Sequence, residues 1–129
     1  EVGYPGAMDA DLILKYAGNA ACWPPQGEFW WHTAAWWTQW GDAAKAAVAG
    51  LEDGAALEKY VQFTQETQAK AYAIAARRCR ERFPQCGGFI VWMGHDCFPC
   101  PANNSLIDYE GRPKPACAEL KKIFKGGQA

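Results

Sequence analysis

Six cysteines have the most obvious potential chemistry in this sequence: Cys22, Cys79, Cys86, Cys97, Cys100 and Cys117. Cys97 and Cys100 form a C-F-P-C spacing, which also occurs in redox-active dithiols. Such dithiols lie where a strand leads into a helix whose N-terminus lowers the thiolate pKa, whereas Pro101 and a polar loop follow here. Together with Cys79 and Cys86 the pair could offer four thiolates to zinc, but C-x6-C is not the usual knuckle spacing. We therefore expect no metal, and structural thiols or disulfides whose pairing the sequence does not fix.

Trp92, His95 and Asp96 form a second candidate group, because they follow one another where a short apolar segment ends. The flat apolar face of a tryptophan suits the C–H side of a sugar ring. His95 and Asp96 come just after it, where they would hydrogen-bond to ring hydroxyl groups. The alternatives are core packing for Trp92 and a helix or turn cap for Asp96.

The sequence contains seven tryptophans, and five of them lie between Trp30 and Trp40. Such a density is unusual, since tryptophan supplies large flat apolar faces. Trp36, Trp37 and Trp40 recur at helical intervals, so we expect them to pack in a core or against another domain.

The composition excludes several classes of protein. Half of the 129 residues are hydrophobic and 21% are charged, as in a folded single domain. The net charge is −1 without a basic block, so we expect no nucleic-acid partner. The longest apolar stretch, Phe89 to Gly94, is far shorter than the roughly 20 residues that span a membrane, so we expect no membrane span. The chain begins at Glu1 and not at Met, so a signal peptide could have preceded it and the localisation stays open.

The clearest local pattern is an amphipathic helix from about Ala55 to Phe83. Pro84 and the two glycines that follow it end this pattern. Charged residues occupy one side, and the other side is a stripe of apolar, small or uncharged polar residues: Leu57, Val61, Thr64, Gln68, Ala71, Ala75, Cys79 and Phe83.

The remaining elements are short. Residues 1–4 have the character of a strand exit, and long loops and helices are expected over residues 6–83, including helices at 9–16 and 43–49. Residues 88–94 form an apolar run without polar alternation, which is typical of a strand buried on both faces of a parallel sheet. Residues 113–124 read as a helix, with proline near the start and lysines near the end. Lys114, between two prolines, could contact a sugar, but capping or a solvated surface is the simpler interpretation.

A strand exit, a helix, a strand and a helix in this order are typical of βα units and predict an α/β fold. In such a fold we expect the strand at Gly88 to Trp92 to lie parallel to the segment near Val2. Two strands cannot close a barrel, however, and a (β/α)8 barrel needs about 250 residues. The chain is too short for the fold that its elements indicate.

From Gly88 to Phe124 the sequence resembles the last strand, loop and helix of the catalytic barrel of family 2 glycoside hydrolases. The similarity is closest to the β-mannosidase and exo-β-glucosaminidase branch. The preceding helix contributes Gln65 to Ala69, which is similar to a paired-glutamine segment of that family. The matching positions are Trp92, His95 and Asp96, Phe98 and Pro99, Ser105 to Tyr109, and Gly111 to Pro115.

The resemblance implies a helix-rich fragment of about the last two βα units of a (β/α)8 TIM barrel, covering residues 1–129. At the N-terminus Glu1, Gly3 and Tyr4 resemble the Glu-x-Gly motif that closes strand seven, where the glutamate is the nucleophile. Trp31 and His32 resemble a Trp-x-x-His-type element in the loop after this strand, which implies that one of them reaches the active site. The substrate would be a β-linked hexoside or oligosaccharide, cleaved without a cofactor, and the remainder of the barrel would be the partner.

The sequence also departs from the family. His95 stands where the family has Asn, and the loop cysteines are not part of the pattern. The Asn-Glu motif of the general acid would lie upstream of Glu1, so this chain alone is expected to be inactive. Two other classes stay open, a non-catalytic carbohydrate-binding module that uses its tryptophans as platforms and a small cysteine-stabilised structural or thiol protein.

Overall fold

The structure, a computed structural model, describes residues 1–33 and 40–126. Within these ranges the chain is helix-rich with a small sheet, and thus of mixed α/β character. In chain order the elements are β1 (Gly6–Ala7), α1 (Ala10–Ala17), α2 (Glu28–Trp31), α3 (Asp42–Val48), α4 (Asp53–Glu81), β2 (Ala102–Asn103) and α5 (Pro115–Phe124).

The long helix α4 confirms the sequence-based prediction, although it begins and ends two residues earlier than the predicted Ala55 to Phe83. Asp53 lies in its first turn, and Arg78 and Arg80 lie in its last turn. These charges complement the partial positive charge at the N-terminus and the partial negative charge at the C-terminus of the helix. Pro84 follows shortly after the helix end, where it cannot continue the pattern.

The buried face of α4 differs from the predicted stripe in its second half. Leu57, Val61, Thr64 and Gln68 are buried as expected, but further along the buried positions are Tyr72, Ala73 and Ala76, while Phe83 is 73% exposed. Buried residues recur every four positions along α4, which is slightly more than the 3.6 residues of one turn. The buried face therefore rotates around the helix from its first half to its second half.

Two hydrophobic clusters explain this rotation. The first half of α4 packs against α1, α3 and Trp30, and the second half packs against α5 through Leu120 and Ile123. At the centre of the first cluster the rings of Trp23, Trp30 and Trp40 meet the Tyr60 ring edge to face, with centroid distances of 5.5, 5.8 and 5.9 Å. The expected core packing of Trp40 is thus confirmed, whereas Trp36 and Trp37 lie outside the described residues.

The strands are shorter than expected. β1 and β2 form an antiparallel pair in which Gly6 lies opposite Asn103, a sheet that the sequence did not predict. Residues 88–94 form no continuous strand, but Val91 makes a parallel bridge with Val2. The expected parallel relation between these two segments is therefore confirmed at one pair of residues.

The shorter helices lie close to their expected positions. α1 and α3 occur where helices at 9–16 and 43–49 were predicted, and α5 starts at Pro115, two residues later than expected. Pro113 makes an antiparallel bridge with Ile107 instead. None of the helices in the described part of the chain has the length and apolarity needed to cross a membrane.

Candidate functional site

The candidate site lies on one face of the two parallel segments. Val2 and Val91 pack against the cluster between α4 and α5, and Phe89 does the same. Ile90 is 72% and Trp92 52% exposed. Because successive side chains of an extended segment point to opposite faces, Glu1, Ile90 and Trp92 share the outer face, and Glu1 is also exposed.

Gly3 allows the close approach of these segments. A Cβ atom on Gly3 would lie 2.6 Å from the carbonyl oxygen of Trp92 and 2.8 Å from Nδ2 of Asn104. The backbone oxygen cannot move away easily, so a larger residue would separate the two segments. The glycine of the Glu-x-Gly motif thus has a steric role in the structure.

Two polar side chains of α4 hold these segments from behind. The Tyr72 hydroxyl lies 3.1 Å from the carbonyl oxygen of Trp92 and 2.8 Å from that of Asn104. The Gln68 side-chain amide lies within hydrogen-bonding distance of the carbonyl oxygens of Tyr4 and Ser105, at 2.9 and 3.0 Å. Gln68 belongs to the paired-glutamine segment, so the structure gives these residues a positioning role.

Asp96 does not lie on the outer face. It is 1% exposed, and its Oδ1 accepts a hydrogen bond of 2.8 Å from Nδ2 of Asn103. Its backbone N–H donates to the carbonyl oxygen of Ile107, and its buried Oδ2 has no hydrogen-bond partner among the described residues. His95, one residue earlier, is exposed and makes a parallel bridge with Ile107. Of the two polar residues after Trp92, only His95 is open to solvent.

Lys114 is the N-cap residue of α5, but its side chain is buried. Its place between two prolines favoured capping or a solvated surface, but the residue is 3% exposed. Its Nζ donates to the carbonyl oxygen of Gly6 at 2.8 Å, to that of Asn103 at 3.3 Å and to Oγ of Ser105 at 3.0 Å. The surface prediction is wrong because these three acceptors converge behind the β1–β2 pair and replace water.

The electrostatics around Lys114 follow from its burial. Burial lowers the pKa of Lys114, and the nearby carboxylates of Asp96 and Asp108 partly oppose this shift. Asp108 accepts hydrogen bonds at Oδ1 from the backbone N–H groups of Glu110 and Arg112, as expected for a turn residue.

Trp31 and His32 lie on a second exposed segment. Trp31 is 68% exposed, and the carbonyl oxygen of His32 accepts a hydrogen bond of 2.9 Å from the buried thiol of Cys100. This contact joins their segment to the loop that follows Asp96. The structure therefore connects the two groups of candidate residues through their loops.

The cysteine chemistry can be judged from the same loop. All six cysteines are free thiols. Burial raises the pKa of the Cys100 thiol to about 11, and the carboxylate of Asp96 adds to this effect. A raised pKa is the opposite of the activation that a redox CxxC motif requires. Within residues 1–33 and 40–126 no group of three or more His, Cys, Asp or Glu side chains is arranged to hold a metal ion.

Lys114, Gln68 and Tyr72 position the site, and the sequence-based prediction missed this role for them. The sequence offered two signals for this role. One is a lysine between two prolines at the start of an amphipathic helix, and the other is a tyrosine and a glutamine on the buried face of α4. These signals are weak, because each side chain acts through backbone carbonyl groups that are distant in the sequence.

Comparison with known proteins gives one consistent result. The chain is similar to proteins named Beta-mannosidase B: that of Aspergillus flavus is 33% identical over 81 residues, which make up 60% of this chain and 10% of the relative. That of Aspergillus niger is 35% identical over 80 residues, which make up 60% of this chain and 9% of the relative. No family model matches the chain, and no solved structure matches it significantly. The chain thus spans about a tenth of the length of these relatives, and the similarity supports a relationship with glycoside hydrolases.

Proposed function

We propose that this chain is part of the catalytic domain of a retaining β-glycoside hydrolase of family 2, with a β-mannoside or a related β-linked hexoside as substrate. One observation carries the proposal: Glu1 and Trp92 belong to parallel segments joined at Val2 and Val91 and are exposed on the same face. The similarity to proteins named Beta-mannosidase B supports the same reaction class.

The fold of the complete domain would be a (β/α)8 barrel, of which this chain supplies about the last two βα units. The parallel bridge, with α4 between the two bridged segments along the chain, agrees with such a unit. A complete barrel needs about 250 residues, so the remainder of the parent protein would be the structural partner of this chain. The exposed side chains of Ile90 and Trp92 would then face the barrel interior.

In this proposal Glu1 attacks the anomeric carbon and forms a glycosyl-enzyme, which water then hydrolyses. Trp92 offers an aromatic face to the sugar ring, and His95 offers a ring nitrogen to a hydroxyl group. Asp96 is buried and would act by holding Asn103, so a direct contact with sugar would require that its Oδ2 become accessible. Trp31 and His32 would border the pocket from the loop that Cys100 holds.

The general acid must come from outside this chain, about 5 to 5.5 Å from the nucleophile as in other retaining enzymes. General acid catalysis contributes on the order of 10²- to 10⁴-fold. We therefore expect no turnover of an aryl β-mannoside by the isolated chain. Turnover that Glu1→Gln abolishes would mean that the acid lies within these residues.

The decisive experiment uses the complete parent protein with Glu1→Ala. The kcat should fall by several orders of magnitude, while sugar binding persists. Azide should partly restore turnover and give a glycosyl azide of inverted configuration, because only one displacement remains. Glu58→Ala, at an exposed position of α4, is the matched control and should keep the original kcat. An unchanged kcat for Glu1→Ala, or a rescued product of retained configuration, would show that Glu1 is not the nucleophile.

The exposure of two tryptophans favours a second candidate, a carbohydrate-binding surface without catalysis. Trp31 is 68% and Trp92 52% exposed, so both rings could stack on sugar. This function predicts saturable quenching of tryptophan fluorescence in the isolated chain by β-linked oligosaccharides, which Trp31→Ala or Trp92→Ala weakens. An unchanged signal at millimolar sugar would exclude it.

A further inference from the structure

The C-terminal end of α4 carries two cysteines that the proposed function does not use. Cys79 lies in the last turns of the helix, and Cys86 follows the helix after a short turn. The N–H of Arg82 donates to the carbonyl oxygen of Cys79, and the N–H of Cys86 donates to the carbonyl oxygen of Arg82, at 3.3 and 2.9 Å. These two successive turns reverse the chain and return Cys86 to the side of Cys79.

Both thiols line one cavity of about 470 Å³, which Arg80, Phe83 and Phe124 also border. Both cysteines are half-buried. The Cys86 thiol donates to the carbonyl oxygen of Gly88 at 3.3 Å. The cavity is therefore a place where a small molecule can reach two thiols at once.

The two thiols also influence each other. Burial raises the pKa of the Cys79 thiol, and a side-chain hydrogen bond with Cys86 raises it further. This influence agrees with the place of both residues on the wall of one cavity.

We propose that Cys79 and Cys86 form a dithiol site that reacts with small disulfides and binds thiophilic reagents that bridge two sulfur atoms. In the first step the thiolate of one of the two cysteines attacks a small disulfide such as oxidised glutathione, the S–S bond of that reagent breaks, and one thiolate leaves. The other cysteine then loses its proton and attacks the modified sulfur, which releases the second thiolate. The net change is the loss of two hydrogen atoms from the protein and the reduction of one disulfide to two thiols.

The product would connect the end of α4 to the segment that leads through Gly88 and Phe89 to Trp92. Cys97 and Cys100 offer no comparable pair, because Cys100 is buried and its thiol lies within hydrogen-bonding distance of the carbonyl oxygens of His32 and Ala102. The reaction is therefore expected at one pair of the six cysteines.

The test treats the folded chain with oxidised glutathione and counts free thiols. The count should fall by two without a retained glutathione adduct, and peptide mapping should find Cys79 linked to Cys86. Cys79→Ser should instead keep one glutathione on Cys86, and Cys22→Ser is the matched control that should behave as the original chain does. Mixed disulfides at both cysteines, or a link between other cysteines, would overturn the proposal.

A second measurement tests proximity without oxidation. Phenylarsine oxide bridges neighbouring thiols, so one equivalent should protect Cys79 and Cys86 from alkylation in the folded chain. Protection should disappear in either single serine variant and in denaturant. Equal alkylation of both cysteines with and without the arsenical would show that the sulfur atoms are too far apart to act together.

Discussion

Trp92 donates its backbone N–H to the carbonyl oxygen of Val2 across 2.8 Å, and Val2 donates its own N–H to the carbonyl oxygen of Ile90 across 2.9 Å. Val2 therefore lies in register with Val91, and both side chains point toward the helices. The neighbours of these valines, Glu1 and Trp92, must point the other way. Glu1 and Trp92, about ninety positions apart in the sequence, thus share one surface because Val2 and Val91 pair in parallel.

The first prediction concerns the steric role of Gly3. In Gly3→Ala the new Cβ would meet the Trp92 carbonyl oxygen at 2.6 Å, so we expect a loss of about 1–3 kcal/mol in the free energy of unfolding. Urea denaturation measures this loss. Gly54→Ala is the control, because nothing lies within 4 Å of its Cβ position in the first turn of α4. An equal effect of both substitutions would contradict the close approach at Gly3.

Tyr72 provides a second test of how α4 holds the site. Tyr72→Phe removes the hydroxyl that lies between the carbonyl oxygens of Trp92 and Asn104. Leaving these partly buried acceptors unpaired should cost up to about 1–3 kcal/mol, and amide hydrogen exchange near Trp92 should become faster. Tyr109→Phe, at a ring that is 41% exposed, should change neither quantity. Unchanged exchange in Tyr72→Phe would mean that the hydroxyl does not hold this segment.

The third prediction concerns Lys114. In Lys114→Met three acceptors lose their donor, so we expect destabilisation by about 2–4 kcal/mol at neutral pH. Lys121→Met, at an exposed position of α5, is the control and should have a small effect.

The pH dependence of the same variant gives a sharper test. The pKa of Lys114 is lowered in the folded chain from an ordinary value of 10.5. Between the lowered pKa and 10.5 the unfolded chain binds the proton more strongly, so the contribution of Lys114 to stability rises with pH in that window. The stability difference between the original chain and Lys114→Met should therefore grow as the pH rises through the lowered pKa toward 10.5. A difference that does not change with pH would mean that Lys114 titrates alike in the folded and unfolded chain.

The last prediction concerns the order in which thiols are alkylated. With a pKa of about 11, Cys100 is ionised in the folded chain to only about one part in 10⁴ at pH 7. Iodoacetamide should therefore modify the exposed Cys97 first, with Cys100 protected until the chain unfolds. Time-resolved peptide mapping measures both rates. Comparable rates in the folded chain would contradict the burial of Cys100 beneath His32.

The sequence predicted elements whose signal is local. α4 could be predicted from its amphipathic pattern and from Pro84 beyond its end, and α5 from the prolines at its start. Both helices lie close to their expected bounds. The parallel relation of Val2 and Val91 followed from the order of the elements. Contacts between distant residues could not be predicted in this way. The β1–β2 pair depends on Lys114 and Gln68, which bind backbone carbonyl groups and produce no periodic pattern in the sequence.

The candidate site could likewise be predicted only in part from the sequence. Glu1 and Trp92 could be named from residue type and from the resemblance, and both are exposed in the structure. The burial of Asp96 could not be predicted from the order of the residues alone. Residue type and position after Trp92 allowed either a place at the pocket mouth or a helix or turn cap, but Asp96 is buried and accepts a hydrogen bond from Asn103.

The rotating buried face of α4 has a consequence for cooperativity. One helix supplies side chains to two hydrophobic clusters, Tyr60 to one and Tyr72 to the other. Neither cluster can lose its packing without removing support from a helix on which the other depends. The described chain should therefore unfold as one unit, and amide protons in the middle of α4, around Gln65 and Gln68, should exchange only when both clusters open together.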